Sequence, residues 1–104
     1  MNVIRRKTLQ AFWEKKGNAA AQTLLLEWFK IARKAHWHNF AEVRAVRRDA
    51  DVARVASGRT AVIFDIGGNK YRLITMIDYL RQTIRVTHVL THGEYDEDRW
   101  KDEL

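Results

Sequence analysis

"RTAVIFDIGGNKYRLITMIDY" (Arg59–Tyr79) decides the fold. Its first third is rich in β-branched residues, and Val62, Phe64 and Ile66 recur at the two-residue period of a strand. "GGN" (Gly67–Asn69) is a strong turn signal, because a hairpin turn needs positive φ at Gly67, Gly68 or Asn69. Alternation resumes from Lys70 to Tyr79. After "LRQ" it returns a third time in "TIRVTHVL" (Thr83–Leu90). Three strands joined by tight turns make an antiparallel meander. The glycine pair is not a phosphate-binding loop. Such a loop puts four residues between its glycines and leads into a helix, whereas a strand follows here.

Upstream, "NVIR" (Asn2–Arg5) reads as a short strand. "KTLQAFWEKK" (Lys7–Lys16) sets Leu9, Phe12 and Trp13 at helical spacing and stops at Gly17. Asn18 is placed to cap a second helix over Ala19–His36, whose Leu24, Leu25, Trp28, Ala32 and Ala35 recur at helical intervals. Asn39 with Glu42 three residues on has the form of a capping box, starting a short helix at Phe40. Helices before strands predict an α+β fold: two N-terminal helices packed on one face of the sheet, with a short helical tail behind it. No linker, repeat or low-complexity segment divides residues 1–104, so one domain is expected.

The chain has 104 residues, 46% of them hydrophobic, which suits one core. It has no cysteine, which excludes disulfides, a thiolate nucleophile and cysteine-held zinc. The net charge of +6 is unevenly spread. Residues 94–104 hold six acidic side chains against Arg99 and Lys101, which leaves 17 basic and 7 acidic residues in the rest. So basic a body predicts a polyanionic partner, nucleic acid or an acidic protein. The last four letters, "KDEL", match an endoplasmic-reticulum retention signal. "MNVIRRKTLQAFWEKK" has no apolar run for a signal peptide or membrane span, so the address has nothing to act on. A cytoplasmic protein without membrane contact is expected.

By the strand period, Lys70, Arg72, Ile74, Met76 and Asp78 share one face. Arg72 thus stands in line with apolar neighbours. It either snorkels or faces a concave polar site. His88 and His92 are four apart, but no third ligand accompanies them and strand residues so spaced are far separated; no metal or other cofactor is expected. His36 and His38 flank Trp37 and suit packing or the surface. "THGEYD" (Thr91–Asp96) offers His92 as a proton carrier near neutral pH and Tyr95 as a hydroxyl or stacking ring. The plainer alternative is a helix start capped by Thr91, with Tyr95 packed on the sheet.

"FDIGGNKYRLITMIDY" followed by "LTHGEYD" resembles the HigB family of toxins, in the RelE/ParE superfamily of bacterial toxin–antitoxin systems. "NVIRRKTLQAFWEKK", "AHWHNFAEVRAV" and "DADV" match further segments in the same order. The resemblance implies a metal-independent endoribonuclease that cuts messenger RNA on the ribosome. It also implies a HigA-type helix-turn-helix antitoxin, through which alone the toxin would meet operator DNA. Arg72 matches the family's strand arginine and is assigned to the scissile phosphate, with Lys70 a second cation. His92 and Tyr95 are assigned proton transfer and base stacking or leaving-group contact, with acid and base unordered. Asp96 either orients His92 or caps the tail helix. Arg85, His88, Lys30, Arg33, Lys34, Arg44, Arg47 and Arg48 are expected to hold RNA. One departure stands out: relatives carry Arg or Lys where this chain has Thr87, so either Arg85 substitutes or the site is weaker. The acidic tail is placed to fold over the basic site and compete with RNA. Two other functions compete: a ParE-like toxin that inhibits a protein such as gyrase, and a basic RNA-binding domain without catalysis.

Overall fold

The computed structural model describes residues 1–68 and 70–104. The meander is present as β3 (Thr60–Ile66), β4 (Tyr71–Asp78) and β5 (Thr83–Thr91), all antiparallel. Two short edge strands extend it. β2 (Asp51–Arg54) lies antiparallel beside β3, and β1 (Asn2–Ile4) lies parallel beside β5, giving the order β1-β5-β4-β3-β2. The sheet is therefore mixed, a correction to the purely antiparallel expectation. A parallel neighbour needs a long crossover, and everything between β1 and β5 supplies it.

Three helices precede β2: α1 (Lys7–Glu14), α2 (Ala21–Lys34) and the short helix expected from Phe40, α3 (Phe40–Val46). Asn18 does not cap α2 with its side chain; its carbonyl accepts the Ala21 N–H at 3.0 Å, and the N-cap position is Ala20. At the far end of α2 the Met1 ammonium donates to the carbonyls of Ala32, Arg33 and Ala35. These are carbonyls that a helix terminus leaves without partners. At α3, Asn39 Oδ1 accepts the Glu42 N–H at 3.0 Å as expected. The Glu42 carboxylate, however, takes the N–H of His38 at 2.9 Å, one residue before the cap, so the reciprocal box does not close. That bond holds the Glu42 carboxyl below its usual pKa.

Both faces of the sheet are covered. On one, Leu9 and Phe12 of α1 and Leu25, Trp28 and Ala32 of α2 join Val62, Phe64, Ile66, Leu73, Ile84 and Val86 in the larger core. On the other, Trp100 packs with Val55, Ala61, Ile63 and Ile74. Trp100 belongs to α5 (Arg99–Asp102), which follows α4 (His92–Asp96). Two covered faces explain why Ala61, Val62, Ile63 and Phe64 are all buried, where one wet face would alternate.

β5 carries a β-bulge. His88 lies opposite Ile74 and Val86 opposite Thr75, so Thr87 is the extra residue; its hydroxyl donates to the Ile74 carbonyl at 3.0 Å. The bulge shifts the alternation, and Val86 and Val89, three apart, both enter the larger core. In the β3–β4 turn Gly67 and Gly68 take φ of +66° and +70°. A Cβ on Gly67 would also lie 2.9 Å from Leu24 Cδ1 of α2, an end of a side chain that can shift, so the positive φ is what favours glycine there. Asn69, the third residue of that turn signal, lies outside the described residues. Among the described residues no helix is long and apolar enough to cross a membrane.

Candidate active site

Arg72 sits near the start of β4 on the face that Trp100 covers, and it is buried, with 9% exposure. An arginine at that depth needs a counter-charge. Asp65, directly across on β3, supplies it: Oδ1 lies 3.2 Å from Arg72 Nε. The guanidinium carbon lies 5.4 Å from the centre of the Tyr95 ring, a cation–π contact. Arg72 is therefore buried and paired on the sheet, not extended past its neighbours into solvent.

Tyr95 is the middle layer of a stack. Arg72 lies against it, and Trp100 is parallel to it, with ring centres 5.5 Å apart and planes inclined by 14°. Trp100 Nε1 also donates to the Tyr95 carbonyl at 3.2 Å. Burial pushes the Tyr95 hydroxyl above the usual tyrosine pKa. Nearby Lys101 and Arg72 pull it back, while Asp51 and Asp98 push it further up. At neutral pH its hydroxyl keeps its proton, as an ordinary tyrosine's also does.

His92 opens α4. Thr91 caps that helix in a full capping box: its hydroxyl accepts the Glu94 N–H, and the Glu94 carboxylate accepts the Thr91 N–H. The plain reading of "THGEYD" as a capped helix start is thus correct, and it coexists with a site. The cap fixes His92 and Tyr95 on one short helix. His92 Nε2 lies 3.3 Å from Asp96 Oδ2, so Asp96 orients the imidazole. The His92 N–H donates to the Lys70 carbonyl at 3.3 Å, which ties α4 to the start of β4. Lys70 itself is exposed in the turn.

The remaining basic residues divide. Arg47 reaches the site, its Nη2 donating to the Asp65 carbonyl at 2.9 Å, and Arg48 lines the same shallow pocket. Arg44 is exposed on α3. Lys30, Arg33 and Lys34 ride on α2, which packs on the opposite face of the sheet from Arg72. They form no continuous surface with the site. His88 faces the same side as Arg72 but is engaged: Nε2 lies 2.7 Å from Glu103 Oε2, and Nδ1 is buried without a partner. Arg85 lies opposite Met76, four β4 positions from Arg72, so it does not stand in for a cation at Thr87. Among the described residues no three His, Asp or Glu side chains gather as a metal centre would.

Sequence reasoning missed Asp65 and Trp100. Asp65 was legible in principle: it is the lone carboxylate in an otherwise apolar strand, at the turn-proximal end where Arg72 must face it. Trp100 was marked only by being an aromatic residue in a polar tail.

A small α+β domain with a buried arginine, a tyrosine and a histidine gathered where its central strand begins defines the class. Residues 21–98, most of the chain, match the family model of the HigB toxins, described as the RelE-like toxic component of a toxin–antitoxin system. The chain belongs to this family, which implies an antitoxin partner. The matched segment leaves out β1, α1 and α5, so the likeness seen over residues 2–16 lies outside it. No individual curated protein matches the chain.

Proposed function

We propose that residues 1–104 act as one domain, a metal-independent endoribonuclease that cuts messenger RNA on the ribosome and thereby halts translation. The observation that carries this reading is the stack of Arg72, Tyr95 and Trp100 beside a histidine oriented by Asp96. RNA holds its own nucleophile. His92 takes the proton of a ribose 2′-hydroxyl through Nδ1, since Nε2 faces Asp96, which steadies the imidazolium that forms. The 2′-oxygen bonds to the adjacent phosphorus, and the bond from phosphorus to the 5′-oxygen breaks. Tyr95, protonated at neutral pH, gives that leaving oxygen its proton. The products are a 2′,3′-cyclic phosphate and a 5′-hydroxyl. Arg72 meets the phosphate at its exposed edge, about a tenth of the side chain, and Lys70 adds positive charge as phosphorus gains a fifth oxygen. Every proton and bond is accounted for without a metal. The antitoxin partner is of the HigA helix-turn-helix type, and operator DNA is reached only through it.

Expression of the chain alone should arrest bacterial growth and cut messenger RNA. Arg72→Ala should lower cleavage roughly 10²–10³-fold, the loss typical of a donor to transition-state charge. His92→Ala should also relieve toxicity, and both variants should still bind antitoxin. Toxicity that survives both substitutions with messenger RNA intact overturns the nuclease reading. Altered supercoiling in those cells would point to a protein target such as gyrase.

A further inference from the structure

At the end of β4 away from Arg72, an open groove of about 900 Å³ runs between the β4–β5 turn and the loop before β3. Arg59, Arg81 and Arg85 line it, with Asp78 as the lone carboxylate among its lining residues. The Arg85 side chain is exposed and makes no hydrogen bond or ion pair among the described residues. Arg81 is 82% exposed and only loosely paired with Asp78, at 3.8 Å. Arg59 reaches Ser57 Oγ and, at a long 3.4 Å, the Leu104 carbonyl. The groove therefore keeps a net positive charge on solvent-facing arginines. Its floor is apolar at Met76, and at its rim Leu80 is 94% exposed, the most exposed large hydrophobic side chain among the described residues.

Register places this groove relative to the site. Arg72 and Met76 point to the same face of β4, and Arg85 is directly opposite Met76. Four strand residues separate the two arginines along the sheet, about 13 Å at the usual rise per residue. That span suits a few phosphates of an extended single strand. It is too long for both arginines to hold one phosphate. A positively charged groove that tracks the backbone is also how proteins hold single strands.

We propose that Arg59, Arg81 and Arg85 form a second RNA-backbone subsite, which binds single-stranded RNA a few nucleotides from the bond that is cut. This rests on the nuclease reading for its direction of approach, but its test is separate. The probes are mixed-sequence 2′-O-methyl oligoribonucleotides, a trinucleotide and an octanucleotide, which keep the phosphates and lack the nucleophile. Binding to the whole protein is measured across salt concentrations.

The octanucleotide should bind the parent protein more tightly than the trinucleotide. In the Arg59→Ala/Arg85→Ala protein that advantage should collapse, and the slope of log affinity against log salt should flatten by about 1.4, at ~0.7 per lost phosphate contact on a single strand. Unchanged affinity and slope for the octanucleotide overturn the proposal. So does loss of antitoxin binding with RNA binding intact, which would make the groove a protein surface. If Arg72→Ala leaves messenger RNA cleavage in cells unaffected while the groove variant still loses its length dependence, the nuclease reading fails and the subsite stands.

Discussion

Trp100→Ala is the most exacting test of how the site is held. Trp100 is 2% exposed and is the aromatic centre of the smaller core, against Val55, Ala61, Ile63 and Ile74. Truncating a buried Trp to Ala costs about 3–5 kcal/mol. The indole also donates to the Tyr95 carbonyl at 3.2 Å, a bond worth about 1 kcal/mol that its removal forfeits. Trp100 belongs to a four-residue helix packed on one face of the sheet, where neighbours can settle inward, so the lower end applies. A loss of about 3 kcal/mol corresponds to a drop in Tm of about 12–24 °C for a domain of this size. Trp100→Phe keeps most of the ring burial and gives up the N–H donor, so about 1–2 kcal/mol is expected. Urea titration followed by far-ultraviolet circular dichroism measures both, and the slope checks that unfolding stays cooperative. A loss below about 1 kcal/mol for Trp100→Ala, with an unchanged slope, would refute the docking of α5. The same reasoning changes what a truncation means: deleting residues 98–104 would remove a core residue along with the acidic charge.

Other outcomes follow from single contacts. Glu103→Gln removes the charge beside His88 while keeping its shape, so RNA affinity should rise at low salt and the gain should vanish at high salt; affinity equal to the parent's at low salt would show that the acidic tail does not compete. Burial raises the pKa of both Tyr79 and Tyr95 above 10.0, so the folded state binds those protons more tightly than the unfolded chain. Their contribution is whole at neutral pH and is lost as pH climbs through the raised values. Urea midpoints should therefore fall above about pH 10, and less steeply in the Tyr79→Phe/Tyr95→Phe protein. Asn39→Ala removes the cap on the Glu42 N–H and should cost about 1 kcal/mol by the same titration; no change would show that water serves as well.

What the sequence made legible was whatever repeats. β3, β4 and β5 announced themselves by period two, and α1 and α2 by helical spacing, because each is long enough to show a face. β2 and β1 were harder for physical reasons. β2 is a four-residue edge strand with mostly exposed side chains, so it shows no alternation. β1 was legible as a strand, but three residues carry no information about a parallel partner. The bulge at Thr87 was invisible too, and with it the shift of face that separates Val86 from His88. Of the site, Arg72 stood out because a cation in an apolar row needs a reason. Its partner Asp65 comes from a neighbouring strand, and Trp100, which stacks on Tyr95, from a four-residue helix; only the register and the packing of the tail bring them together.

The smaller core has a consequence in time. Trp100 follows Val55, Ala61, Ile63, Ile74 and Tyr95 in the chain, so this core closes only after all of them have been made. β3 and β4 precede α4 and α5 along the chain, so they leave the ribosome first. Arg72 can pair with Asp65 at that stage, but the Tyr95 ring that packs on it has yet to dock. The proposed site would thus be completed only once α4 and α5 fold back onto the sheet.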